Sequence, residues 1–517
     1  MGTWRLLAVT RSLSPSRVIF FAIINHLSAH FNHLTDYLLL WSTFKPKVSH
    51  NYFKITRMFS AKTYIDRRSG LQAAIGSGII LLPGNDDTGM NYKDNIYPFR
   101  QDSSFLYYAG IDRPGLTFII DADNNREILF GDESTVEDIV WTGSVDSLVS
   151  QAARAGIADV RPLSQLPGFL AGNKQTIHFL SPYRADITLK LSSWLDIPAA
   201  QIPERVSVKL IKAIVAQRSY KTTEEIQQIE IAVNTTIDMQ LKAMQLAAAG
   251  VTETEISGQL HAVAIAAGGH ISFPVILTTN GQFLHNHPHH TPLQQGQLVL
   301  CDCGAENAMR YCGDLTRTHP VDKKFTTAQR DIYDIVYQSY QAAADAIRPG
   351  IRFKDIHLLA CEQIAAGLTA LGLMKGDPRE AVAAGAHALF FPCGVGHMLG
   401  LDIHDMENLG EAYVGYTDTL QKSTAFGLKS LRLGRELEAG FVLTVEPGIY
   451  FNPLLTDAWQ AAGKHTSFIN YEKLAAYRNF GGIRLEDNFL VTAEGSHLLG
   501  RPFARTATEI ENLIASL

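Results

Sequence analysis

Apolar positions recur along the chain with two different periods. From Tyr64 to about Val215, short apolar runs alternate with mixed segments. Residues 77–84 (SGIILLPG) read as a buried strand stopped by Pro83-Gly84. Residues 116–121 and 126–130 flank the turn-rich Asp123-Asn124-Asn125, which predicts a hairpin. Residues 136–141 and 145–155 read as helices. This part is an α/β unit without an obvious cluster of reactive side chains, and its boundary falls at about Gln217 to Lys221.

Beyond that boundary the period becomes helical. Thr222 with Glu225 forms a capping-box pattern, and Ile226, Ile229, Val233, Ile237 and Leu241 follow at helical spacing until Gly250. Thr252 with Glu255 opens a second helix, ended by Gly268-Gly269. A third runs from Thr326, paired with Gln329, through Ile332, Ile335 and Val336 to Pro349-Gly350, and a fourth covers roughly 354–373. Strand-like segments lie between and after these helices. The pattern predicts an α+β body with helices covering a largely antiparallel sheet.

The first 57 residues follow neither period. They hold seven Lys/Arg and a single acid, Asp36, and their best apolar run, Val18 to Ile24, has seven residues. A membrane span needs about 20 apolar residues, so a transmembrane helix is rejected. Arg5, Arg11 and Arg17 before that run suit a secretory signal, but no clear small-residue cleavage site follows; a basic, acid-poor leader also suits an organellar transit peptide. The reading adopted is an upstream extension outside the native protein, with translation starting at Met58. The expected organisation is therefore 1–57 extension or leader, 58–216 N-terminal domain, 217–517 catalytic domain.

Composition narrows the class. A chain of 517 residues with 46% hydrophobic and 19% charged residues has core enough for two to four domains of about 150 residues each. A net charge of -6 gives no electrostatic footprint for nucleic acid. Five cysteines are too few, and odd in number, for a disulfide scaffold, which points to reduced thiols and a cytoplasmic setting.

The candidate chemistry lies in the second body. The apolar run 298–304 (LVLCDCG) carries one carboxylate, Asp302, and Asp314 follows twelve residues later in GDLTRTHP. A hairpin through Asn307 to Arg310 would set them side by side. Two buried carboxylates repel unless protonated or bridged by a cation, although acids at strand ends bonding backbone amides explain the pattern as well. Further on, His397 follows a Gly-rich approach (FPCGVGHMLG), with His404 beyond it. Strand alternation places Val442, Thr444 and Glu446 on one face, and Arg484 with Glu486 on another. Four such acids and one imidazole make shared cations the economical explanation. Hard, oxygen-rich ligands suit Mn²⁺, Co²⁺ or Zn²⁺. Two ions about 3.5–4 Å apart could share a hydroxide and polarise a carbonyl. A thiolate site of Cys301, Cys303, Cys312 and Cys393 lacks a Cys-x-x-Cys knuckle, and Cys301 and Cys303 would face away from Asp302.

Asp302, Asp314, His397, Glu446 and Glu486, in this order within GDLTRTHPV, GHMLGLDIHD, TVEPGIY and GGIRLEDN, resemble the proline-specific metallopeptidases. That family comprises Xaa-Pro aminopeptidase (aminopeptidase P) and Xaa-Pro dipeptidase (prolidase). The similarity spans about Tyr64 to Gly500, and YPFRQDSSFLYYAG (97–110) suggests an aminopeptidase P-type N-terminal domain. The resemblance implies an α+β pita-bread catalytic domain preceded by that α/β domain. It implies two divalent ions, Mn²⁺ above Co²⁺ or Zn²⁺: Asp302 and Asp314 at one, Asp314 and Glu486 bridging, His397 and Glu446 completing the second. Glu446 would also serve as general base, with a metal-bridged hydroxide attacking the scissile carbonyl. His404 and His285 match histidines that contact substrate and stabilise the tetrahedral intermediate. Arg432 matches a prolidase arginine for the substrate carboxylate, and Arg484 is carried over as a second substrate-binding position, beside Glu486.

The implied activity is release of the N-terminal residue from Xaa-Pro peptides, with the dipeptidase and, further off, an inactive peptide-binding homologue as alternatives. Implied partners are proline-containing peptides and a second copy of the chain in a homodimer, with no nucleic acid and no membrane. Several positions depart from the family pattern or stand apart from it. The aspartates are twelve apart where eleven is usual. Cys393 stands where many members have a histidine. His319 reads as a strand-end residue, and His287, His289 and His290 suit a solvated loop around His285.

Overall fold

Ser60 accepts from the Thr63 amide and starts helix α1 (Ala61–Ile75), which leads into β1 (Ile79–Pro83). In this computed structural model, residues 58–143 and 145–517 are described, so the expectations for residues 1–57 lie outside the described residues. After α2 (Ser103–Ala109) come β2 (Thr117–Asp121) and β3 (Arg126–Phe130), the expected hairpin, paired antiparallel from Thr117↔Phe130 to Asp121↔Arg126. With β4 (Asp159–Arg161) and β5 (Ile177–His178) they form a mixed sheet of order β4-β3-β2-β1-β5. The centre of the sheet, β1 and residues 118–120 of β2, is apolar without interruption because both faces are covered. Ile80, Leu82, Phe118 and Ile120 join the core under α1, whereas Ile79, Leu81, Ile119 and Phe130 pack into a separate cluster with Leu166, Leu170 and Leu191. The expected helical segments are present as Val136–Thr142 and Leu148–Arg154.

Helix α3 (Val208–Arg218) and helix α4 (Thr223–Leu246) flank the boundary expected between the first body and the second. The Thr222/Glu225, Thr252/Glu255 and Thr326/Gln329 capping boxes all form, the latter two starting α5 (Glu253–Ala266) and α6 (Thr327–Asp345). The fourth helix, α7, spans Phe353–Ala370, stopping short of the expected end because Gly372 turns the chain at φ 72°. The strands of this body are antiparallel throughout. β6 (His270–Ile271) pairs with β9 (Ala305–Glu306). β8 (Leu298–Cys303) lies between β7 (Ile276–Thr278) and β10 (Leu315–Pro320). β11 (Val442–Val445) and β15 (Ser496–Leu498) flank β14 (Asp487–Val491), and β12 (Gly448–Tyr450) pairs with β13 (Gly482–Arg484).

Alternation on β8 sorts its side chains as expected. Cys301 and Cys303 enter the core with Met239, Ile256 and Leu260 from α4 and α5, leaving Asp302 on the opposite face. All five cysteines are free. His319 lies at the end of β10, as expected, and is fully buried there, opposite Val299. Among the described residues, no helix is long and apolar enough to cross a membrane.

The two bodies meet through buried ions close to His404. Arg218 at the end of α3 binds Asp402 at 2.8 Å and Asp405 at 2.7 Å, and Lys221 binds Asp405 at 2.8 Å. Arg100 from the first body binds Glu306 at 2.8 Å and donates to the Leu401 carbonyl. Residues 401–405 are thus held from both sides, which fixes the turn that presents His404.

Candidate metal centre

Register builds the acidic half of the site. Asp302 on β8 lies opposite Thr316 on β10, and Leu315 lies opposite Cys303, so Asp314 enters the same face just before β10 starts. The hairpin between them turns at Asn307 to Arg310, where Arg310 takes a left-handed φ of 68°. Thr316 Oγ1 donates to Glu486 Oε2 at 2.7 Å and accepts from Arg484 Nε at 3.1 Å. Arg484 also donates from Nη2 to Asp302 Oδ2 at 2.6 Å and from Nη1 to Tyr450 Oη at 3.0 Å. Its polar head is thereby engaged by Thr316, Asp302 and Tyr450, which orients Asp302, while Arg484 also lines the cavity where substrate contact is expected.

His397 arrives from a different segment. Gly396 lies so close to the Thr444 carbonyl that a Cβ there would overlap it. That approach lets the His397 amide donate to Thr444 Oγ1 at 3.2 Å and the Thr444 amide donate to the His397 carbonyl at 2.9 Å. The His397 ring donates from Nδ1 to the Met398 carbonyl at 3.0 Å, since a carbonyl can only accept. The Nε2 lone pair is therefore free to face the acids, at 3.5 Å from Asp314 Oδ2 and 3.6 Å from Glu446 Oε1.

The cavity of about 250 Å³ above these groups is lined by His285, Asp302, Asp314, His397, His404, Arg432, Glu446, Arg484 and Glu486, every site residue expected from sequence. It also takes in residues that sequence reading missed or set aside. Phe273, Pro274, Ile276, Leu284 and Ile403 supply an apolar wall, and His287, read as a loop histidine, lines it as well. The Phe273-Pro274 pair before an apolar run was the available signal for that wall. Cys393 lines the cavity too, with burial pushing its thiol up to about 12, so it is a neutral thiol at ordinary pH.

A further acid organises the rim. His404 Nδ1 donates to Glu407 Oε2 at 2.5 Å, and this bond holds the Glu407 carboxyl down at about 2. A protonated Nδ1 cannot accept, so Arg432 Nε, 3.2 Å from the same Glu407 oxygen, has that carboxylate as its partner. Glu407 had no sequence signal, because it sits in a polar turn without periodicity. The rings of His404 and His397 meet edge to face at 4.3 Å between centroids.

The electrostatics test whether cations belong here. Burial, followed by repulsion from Asp302, holds Asp314 well above an ordinary carboxyl. Burial, then repulsion from Asp314 and Glu446, does the same for Glu486, and burial lifts Glu446 to about 7. Burial lowers His285, His397 and His404, keeping them neutral. Among the described residues, Asp302 Oδ1 and Asp314 Oδ1 are buried without a hydrogen-bond partner. Ligand atoms of Asp314, His397 and Glu486 all lie within 4.8 Å of one another. Partnerless oxygens, a neutral imidazole with its lone pair turned inward and mutually repelling acids together fit hard divalent cations.

Residues 227–493 match the model of metallopeptidase family M24, and residues 64–178 that of the aminopeptidase P N-terminal domain. The chain is 30% identical to Xaa-Pro dipeptidase of Homo sapiens over 86% of this chain and 90% of that protein. It is 31% identical to Xaa-Pro aminopeptidase of Escherichia coli over 88% of this chain and 98% of that one. Among solved structures, zinc-substituted E. coli aminopeptidase P in complex with product superposes with a TM-score of 0.73 at 27% identity, covering 89% of this chain and 99% of that one.

Proposed function

Because the chain belongs to metallopeptidase family M24, with a pita-bread catalytic domain behind an aminopeptidase P-type domain, we propose that it is a dinuclear-metal exopeptidase that releases the N-terminal residue from Xaa-Pro peptides. The observation that supports this best is the set of three buried carboxylates, a fourth, Glu446, half-buried beside them, and one inward-facing imidazole at the base of a single cavity. Asp302, Asp314, His397, Glu446 and Glu486 would hold two divalent ions, Mn²⁺ above Co²⁺ or Zn²⁺ on this ligand chemistry. Bound ions would supply Lewis acidity, polarising the scissile carbonyl and acidifying the attacking water.

The chain's own residues then have separate tasks. Glu446, at the base of the cavity beside His397, accepts the proton of the attacking water and is suited to hand it to the leaving amine. His285 is a neutral imidazole whose N–H can stabilise the oxygen that gains charge, whereas neutral His404, with its proton on Nδ1, presents Nε2 to the cavity as an acceptor for a substrate N–H. Glu407 fixes the His404 tautomer so that Nε2 faces the cavity. The apolar wall of Phe273, Ile276 and Ile403 suits a proline ring and keeps bulk water away.

Room beyond the site favours the aminopeptidase reading. An adjoining cavity of about 520 Å³ shares Ile403 and His404 with the first and continues along Arg100 and Arg310. A peptide longer than two residues can run into it. The dipeptidase reading rests on Arg432, a guanidinium able to bind a free carboxylate at that rim. Cleavage of Xaa-Pro dipeptides against Xaa-Pro-Yaa tripeptides by purified protein separates them: turnover of tripeptides supports the aminopeptidase, and cleavage confined to dipeptides overturns it. The division of the chain at 216/217, a homodimer and a cytoplasmic location complete this proposal.

A further inference from the structure

Helix α7 places His357 and Cys361 one turn apart on one face, and the turn Ala386–Leu389 brings His387 against them. His357 and Cys361 are 0% exposed and His387 2%. One donor atom from each lies within 4.8 Å of the other two. The cluster is separate from the catalytic centre, whose cavity none of the three lines.

Its polar atoms are unusually poor in partners. His357 Nδ1 is buried without a hydrogen bond among the described residues, and the His387 ring nitrogens make none of good geometry, one of them only approaching the Val382 carbonyl. Leaving such groups unpaired costs about 1–3 kcal/mol each, and ordinary core positions avoid it. The one contact inside the cluster is Cys361 Sγ to His357 Nε2 at 3.5 Å. That length suits a weak S–H···N bond, and it also suits sulfur and nitrogen ligands of one metal ion: bonds of about 2.3 and 2.05 Å opened to a tetrahedral angle set them about 3.6 Å apart. A hydrogen bond between Cys361 and His357 would leave His387 unexplained, whereas a shared ion accounts for all three side chains.

We propose that His357, Cys361 and His387 form a second, structural metal site for a thiophilic cation, and that the ion is monovalent copper. Thiolate and imidazole select Cu(I) or Zn(II) from the common metals. Charge decides between them. One thiolate and two neutral imidazoles neutralise Cu(I) but leave Zn(II) with a net positive charge, which is costly in a buried site. The acid next to Cys361, Glu362, is turned toward Arg379 at 3.4 Å. Binding forms the metal–sulfur bond and releases the Cys361 proton to solvent, with no change of oxidation state. The ion would clip α7 to the turn that leads through Phe391, whose ring lies tilted 5.6 Å from that of His357, toward His397. This site stands independently of the peptidase reading.

The test uses the full chain with the catalytic ligands removed, Asp314→Ala/Glu486→Ala, stripped of metal and loaded anaerobically with Cu(I) buffered by a chromophoric chelator, and in parallel with Zn(II). The expected result is one equivalent of Cu(I) retained per chain, with a rise in melting temperature. Cys361→Ser and His387→Gln should each weaken retention more than about 100-fold and remove the rise, while Cys393→Ser changes neither. No retained equivalent, or one that survives both substitutions, would overturn the site. Retention of Zn(II) alone would overturn its assignment to a monovalent ion.

Discussion

Arg484 faces Asp302 across 2.6 Å, and the bond to Oδ2 leaves Oδ1 as the oxygen without a partner. The guanidinium thus selects which oxygen of Asp302 is offered to the cavity. Arg484→Gln keeps a donor of shorter reach but loses the charge and the fork that also holds Thr316 and Tyr450. Metal affinity should fall by about 10–100-fold, as for other groups that orient a ligand. Titration of the metal-stripped protein measures this. Unchanged affinity with a raised KM would return Arg484 to the substrate.

Glu446 combines two roles, and Glu446→Gln separates them. The amide oxygen can still face a cation but cannot accept a proton at neutral pH. The kcat should drop by about 10²–10⁴-fold with bound metal largely retained. Retained kcat, measured on an Xaa-Pro tripeptide beside metal content, would remove Glu446 from proton transfer.

Metal removal should abolish hydrolysis, and Mn²⁺ or Co²⁺ should restore it. A stability signature accompanies this. Asp314, Glu446 and Glu486 are raised in the folded, metal-free chain, so above their unfolded values the folded state holds protons that the unfolded state has released. Their contribution therefore becomes more unfavourable as pH rises from about 4.5 through about 7, and bound cations cancel it. The gain in melting temperature on adding Mn²⁺ should be larger at pH 8 than at pH 5. Equal gains would contradict the buried-acid account.

Much of this was legible in the chain, for physical reasons that differ by element. The capping boxes at Thr222, Thr252 and Thr326 are local, three-residue chemistry, so the helices they start were readable. Asp302 stood out because a lone carboxylate on an apolar strand has few explanations. The roles of Arg484 and Glu407 depend on partners 182 and three residues away, and the near one sits in an irregular turn. His357, Cys361 and His387 were invisible for a related cause: histidine and cysteine one helical turn apart are common, and only the fold brings the third side chain to them. His319 was read as a strand-end residue, which it is, but its burial was not legible, because position in a strand is local while coverage of that strand is not.

His319 gives the last prediction. It is fully buried, neither ring nitrogen has a partner among the described residues, and burial alone lowers it to about 4. A histidine depressed on folding is a protonation that the folded state resists and the unfolded state accepts below about 6.5. Stability is then unaffected by this group above that value and declines as pH falls toward about 4. At pH 5 the cost is about 2 kcal/mol, from a difference of some 2.5 units in affinity for the proton, most of it already expressed. His319→Leu, close in volume and free of polar atoms, should remove both this cost and that of the buried, unbonded ring N–H. Urea unfolding of the variant and the parent, both metal-free, should give a stabilisation at pH 8 that grows by about 2 kcal/mol at pH 5. Because His357 and His387 are present in both proteins, their own acid sensitivity cancels. A difference between the two proteins that does not change with pH would show that His319 is hydrogen-bonded or solvated in solution, and so is not the source of acid lability.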